Sequence, residues 1–128
     1  MKYGYKKELD IDFADAVEKV KLELEKEGFG VLTEINVKDT FKKKLGKDFD
    51  EYVILGACSP AHAYEVLMAE RDMGLMLPCN IVVYVDDGKL YAAAILPTVA
   101  MGIVENDDLK SVAEEVETKL KKVINNIN

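Results

Sequence analysis

The chain has 128 residues, of which 49% are hydrophobic and 32% charged, and a net charge of −7 at neutral pH. This size and balance describe one globular domain, 1–128, with a core large enough to fold without staples, and they exclude a disordered chain. An acidic chain whose only arginine is Arg71 also speaks against nucleic acid and anionic membrane surfaces, where cations must neutralise phosphate.

Residues 2–8 alternate and carry two tyrosines, which predicts a first strand. The opening residues have no apolar core of the signal-peptide kind, and no later run reaches the length of a membrane span. The expected location is therefore cytoplasmic, and Cys58 and Cys79 are expected as thiols rather than a structural disulfide. Asp12 is placed to cap a helix in which Phe13, Val17, Val20 and Leu24 recur at helical spacing. Gly28 stands where a left-handed terminating residue belongs. Residues 29–37 are β-rich and predict a second strand. Asp39 is then expected to cap a short helix through Phe41 and Leu45, closed by Gly46, with Lys42, Lys43, Lys44 and Lys47 on a solvated face.

Residues 52–58 predict a third strand. Ser59 suits an N-cap and Pro60 the first helical position, so a helix is expected from there to about Asp72. Residues 79–86 and 89–96 predict a hairpin around Asp87-Gly88, a turn pair that matches strand twist. The nearly continuous apolar run from Ile81 to Val85 predicts a central strand covered on both faces. Ala92, Ala93 and Ala94 leave room for a helix or a partner subunit to approach closely. After an irregular or briefly helical stretch at 97–105, Asn106 or Asp107 caps a last helix. Its stripe runs through Leu109, Val112, Ala113, Val116, Leu120, Val123, Ile124 and Ile127. Five strands, one tight hairpin and long amphipathic helices predict an α+β fold with two helices covering one sheet face. The other face is left for solvent or a second copy.

Chemistry concentrates in two segments that hold both cysteines, the only histidine and two of the three prolines: Gly56-Ala57-Cys58-Ser59-Pro60-Ala61-His62 and Leu77-Pro78-Cys79-Asn80. Cys58 precedes a helix start, where the positive dipole end favours thiolate, so it is the candidate nucleophile or redox group; packing as a small hydrophobe is the alternative. Cys79 is a candidate partner for it, as a metal ligand or in a reversible disulfide, or a core residue. Cys58, His62 and Cys79 together would make a three-ligand metal site, although the paired Cys-x2-Cys spacing is missing. An ordinary exposed helix histidine is the alternative for His62. Asn80 suits capping or bridging backbone groups at the hairpin mouth. Glu34 is either a carboxylate facing a pocket or a solvent-facing alternate of its strand. Met68, Met73, Leu75, Met76 and Leu77 supply apolar bulk for a core, a pocket wall or a dimer surface, or, through the methionines, soft thioether ligands for Cu(I). There is no dinucleotide fingerprint, Walker loop, Cys-x-x-Cys or nucleophile elbow.

Three stretches carry a family resemblance: Phe29-Gly30-Val31-Leu32-Thr33-Glu34-Ile35-Asn36, Leu55-Gly56-Ala57-Cys58-Ser59-Pro60, and the run from Leu75 through Leu77-Pro78-Cys79-Asn80 to Tyr84. In that order they resemble the "domain of unknown function 302" family over nearly the whole chain. Asn36 departs from the family's common Asp, and Ser59 from its frequent Asn. The resemblance implies a curved, mainly antiparallel sheet of about five strands with long helices on one face, grouped with TATA-binding-protein-like folds. It also implies a homodimer, and it brings no established activity or cofactor. The expected function is a small accessory domain that binds a ligand or metal at a corner of Cys58, Ser59, His62, Cys79 and Asn80, with Glu34 in reach. The rivals are a thiol-dependent enzyme using Cys58, and a structural or interaction domain with buried cysteines.

Overall fold

The computed structural model describes residues 1–127. Five strands form one antiparallel sheet in the order β1-β5-β4-β3-β2. They are β1 (Gly4–Leu9), β2 (Gly30–Asn36), β3 (Tyr52–Cys58), β4 (Cys79–Asp86) and β5 (Lys89–Ile95). The helices are α1 (Phe13–Lys26), α2 (Val37–Leu45), α3 (Pro60–Ala69), the short α4 (Pro97–Ala100) and α5 (Asp108–Asn125), with 3-10 turns over Arg71–Met76 and Met101–Ile103. The fold is α+β, as the pattern of elements predicts.

One face of the sheet makes the core. Leu55 of β3, Ile81 and Val83 of β4 and Ala92 of β5 are fully buried beneath Val20 and Leu24 of α1 and Leu120, Val123 and Ile124 of α5. The small alanines of β5 let α5 lie close over that strand. α3 packs beside α5 and buries Val66. The hairpin turn is as expected. Asp87 and Gly88 have φ of 52° and 76°, the paired positive values that two-residue hairpins need.

The central strand is covered on one face only. β4 lies in the middle of the sheet, but Val82 and Tyr84 alternate with the buried Ile81 and Val83 and are only half-buried, and Asn80 is exposed. Both long helices take the same side because each has a single apolar stripe, so the second face stays open. Aromatic rings cross it. Tyr52, Tyr84 and Tyr91 occupy one register row, with ring centroids 5.0 Å and 5.5 Å apart along it. Phe49 and Phe41 continue the row onto α2, which has no buried residue, and Lys6 sits 4.2 Å from the Tyr91 ring centroid.

Several helix ends differ from the sequence expectation. α2 is capped by Asn36, whose side chain accepts from the Asp39 N–H at 3.0 Å, so Asp39 is a recipient and not the cap. Gly46 closes that helix with φ of 64°. α3 stops at Ala69, short of Asp72. Glu70 is extended, and Asn106 Nδ2 donates to the freed Ala69 carbonyl at 3.0 Å, a long-range cap that local spacing does not show. Asn106 Oδ1 also accepts from the Asp108 N–H, which makes Asn106 the capping side chain of α5. Asp12 occupies the N-cap of α1 without a side-chain hydrogen bond.

Candidate functional site

The two signature segments meet where β3 and β4 end. Ala57 is the direct partner of Cys79 across the two strands, so Cys58 lies one residue from register with it. Cys58 is the last residue of β3 and pairs with Gly30 of β2, so strand alternation turns its side chain to the face opposite that of Ala57 and Cys79. Cys58, Ser59, His62 and Cys79 line one cavity of about 20 Å³, closed by apolar neighbours that include Phe29 and Leu77. That volume holds about one water. Cys58 is half-buried and Cys79 buried, both as free thiols. Burial pushes the Cys79 thiol up to about 11, and the charge of neighbouring Cys58 adds to the effect.

His62 is buried, against the alternative of an exposed helix histidine. Its face of α3 is turned towards α5, which supplies Glu115. Nδ1 lies 2.7 Å from Ser59 Oγ and Nε2 lies 3.2 Å from Glu115 Oε1, while Phe29 packs edge-on with ring centroids 6.4 Å apart. Both ring nitrogens therefore have partners other than sulfur. The Ser59 hydroxyl at the helix start engages the imidazole and not a backbone N–H. Among the described residues, no three or more His, Cys, Asp or Glu side chains form a metal-holding group, so the expected Cys58, His62 and Cys79 ligand set is not assembled.

Asn80 and Glu34 stand apart from this cavity. Asn80 projects from the open face, opposite Gly56, because adjacent strand residues point to opposite sides. Glu34 pairs with Lys21 of α1 at 2.7 Å on edge strand β2, and this contact raises the Lys21 ammonium above its ordinary value. The expected corner is thus divided. Cys79 and His62 line a small, nearly filled cavity, and Asn80 faces outward.

Beside the cavity lies a larger groove of about 330 Å³. One wall is the segment from Leu75 to Asn80, and the other includes Ile95, Pro97, Ala100 and Met101. Leu77, Cys79 and Met101 line both spaces, so they form the partition between them. Asn80 is the one polar side chain on an otherwise apolar lining, apart from the Cys79 thiol. The Leu77-Pro78 peptide is cis. Pro78 packs against Gly56 of β3, where a side chain would collide with both Pro78 and Thr33 Oγ1.

Sequence reasoning missed Glu115, which reaches His62 only through helix packing and has no local signature. It also missed the tyrosine row, although the Asp87-Gly88 turn sets Tyr84 opposite Tyr91 by simple counting.

No helix among the described residues is long and apolar enough to cross a membrane. No curated protein matches the chain. The crystal structure of an uncharacterized conserved DUF302 protein from Bacillus stearothermophilus superposes with a TM-score of 0.93 at 29% identity, over 100% of each chain. The family described as "Domain of unknown function DUF302" matches residues 5–127, which includes both signature segments, and the chain belongs to that family.

Proposed function

We propose that this chain is a small accessory domain of the cytoplasm that binds a compact apolar molecule in the groove beside Leu77 and Pro78. The observation that carries the reading is the groove itself. Its volume of about 330 Å³ falls at the lower end of the range of about 300–1,000 Å³ for small-molecule sites. Its apolar lining with Asn80 alone at the edge suits a ligand with one hydrogen-bonding group. The cavity beside His62 and Cys79, of about 20 Å³, is too small for such a ligand.

The test is a titration with the uncharged apolar probe N-phenyl-1-naphthylamine, read by fluorescence. Saturable binding to one site is expected. Ala100→Trp, which fills the groove, abolishes it, and Asn80→Ala weakens it. Binding that does not saturate, or that survives Ala100→Trp unchanged, refutes the reading.

The same proposal has the domain working as a homodimer through the open sheet face. Its support is that Tyr3, Ile35 and Phe49 remain exposed around the tyrosine row, and contiguous apolar surface of this kind marks partner contacts. Light scattering on the eluting protein tests this part, and a monomer at high concentration overturns it.

A further inference from the structure

We propose that Ser59, His62 and Glu115 form a serine-based hydrolytic site that cleaves small esters of acetyl size. This goes beyond ligand binding in the groove beside Leu77 and Pro78 and does not depend on it.

Three side chains meet where the start of α3 packs beside α5. Ser59 Oγ is 2.7 Å from His62 Nδ1, and Glu115 Oε1 is 3.2 Å from His62 Nε2. An ionised carboxylate can only accept, so the proton of the neutral ring belongs on Nε2, beside Glu115. Nδ1 is then a bare acceptor, and the Ser59 hydroxyl donates to it. Nucleophile, base and carboxylate stand in the order that serine hydrolysis uses, with the two ring nitrogens exchanged. His62 is buried and Phe29 packs edge-on against it, which holds the ring in place.

A serine at an N-cap ordinarily accepts from a backbone N–H of the first helical turn. Ser59 makes no such bond. Pro60 has no N–H, and among the described residues no acceptor takes the N–H of Ala61 or His62. The start of α3 thus keeps two free donors next to the hydroxyl, and an oxyanion formed at Ser59 would accept from them.

Space sets the substrate class. Ser59 and His62 line the cavity of about 20 Å³, whose walls include Phe29, Val66 and Leu77. It holds about one water, the bulk of a methyl group, so an acetyl methyl fits and a longer acyl chain does not. Ser59 is half-buried and Pro60 and Ala61 are exposed, so the alcohol portion of the ester stays in solvent.

In the first step Ser59 Oγ attacks the ester carbonyl carbon and its proton passes to His62 Nδ1. The carbonyl electron pair moves onto oxygen, facing the Ala61 and His62 N–H groups. The intermediate collapses, the bond to the alcohol oxygen breaks, and the alcohol leaves with the proton from Nδ1. Acetyl-Ser59 remains. Water then attacks it, giving its proton to Nδ1, and the proton returns to Ser59 Oγ as acetate departs. Glu115 is a positioning residue that acts through the imidazole.

The test uses the full chain with p-nitrophenyl acetate, read as nitrophenolate release. Many turnovers per chain are expected. Ser59→Ala and His62→Gln should each lower kcat/KM at least about 100-fold. Glu115→Gln should lower kcat about tenfold and leave KM unchanged. p-Nitrophenyl hexanoate should turn over at least about tenfold more slowly than the acetate, because its chain exceeds the cavity. An ethyl fluorophosphonate probe should add once per chain, at Ser59 by peptide mass mapping. Cys58→Ala should keep both turnover and labelling, which separates the serine from the thiol before it. Acetylation that stops at one equivalent, hydrolysis that survives Ser59→Ala, a phosphonate adduct at any other residue, or equal rates for both esters overturns the proposal. The labelling of wild-type protein decides the matter even where a variant folds poorly.

Discussion

Gly56→Ala tests whether the two signature segments are held together by close packing across the sheet. Gly56 has an ordinary backbone conformation, so its lack of a side chain is a matter of space. A Cβ there would lie 2.7 Å from Pro78 Cγ and would also collide with Thr33 Oγ1. Carbon atoms rest about 3.5–4.0 Å apart, so the proline contact alone is about 1 Å too close. Neither neighbour yields easily. Pro78 is a closed ring, and Thr33 is branched and short. Overpacking of this sort costs about 1–3 kcal/mol. Loss of glycine's freedom in the unfolded chain returns about 0.4–1 kcal/mol. The net expectation is a loss of about 1–2 kcal/mol, or a fall in Tm of about 3–10 °C for a domain of this size. Thermal and urea melts followed by circular dichroism measure it. Gly30→Ala, where nothing lies within 4 Å of the added carbon, is the control and should be neutral or slightly stabilising. Thr33→Ala in the Gly56→Ala background should recover part of the loss, because the two sites share a contact. A Gly56→Ala protein that melts with wild type would refute the packing argument.

The remaining expectations are more local. Cys79 has a raised thiol pKa in the fold, about 11 against an ordinary 9, so the unfolded chain gives up this proton first. Its contribution is intact below about pH 9 and is lost as pH climbs through about 11, amounting to about 3 kcal/mol. The stability gap between wild type and Cys79→Ala, measured in urea under reducing conditions, should shrink by that order between about pH 8 and about pH 11; a constant gap contradicts the assignment. Asn36→Ala should cost about 0.5–2 kcal/mol as a lost cap, more than Asp39→Ala, and the reverse order in thermal melts would return the cap to Asp39. His62→Ala removes a hydrogen bond to Ser59, the pairing with Glu115 and the edge contact with Phe29, and should cost about 2–3 kcal/mol in urea melts. Glu115→Gln should cost under about 1 kcal/mol, because Glu115 itself is largely exposed; equal losses would mean the Glu115 contact dominates.

The sequence by itself determined the elements, because each is written in local terms. Apolar spacing in α1 and α5, alternation in the strands, and the Asp87-Gly88 and Gly46 turns act over a few residues, and all appear in the structure close to where the spacing put them. Convergence of the two cysteine segments was legible as well, from turn signals and from the family resemblance. Tertiary structure decided how that corner is used. Strand alternation sends Cys79 and Asn80 to opposite faces, which divides a site that looked single in the linear order. Packing of α3 against α5 buries His62 and gives it Glu115, and the Asn106 cap ends α3 early. These outcomes depend on which side chains long-range packing brings within a few ångströms of one another. A residue's near neighbours in sequence carry no record of that distance, so the cavity, the groove and the open tyrosine face became visible only once the chain was folded.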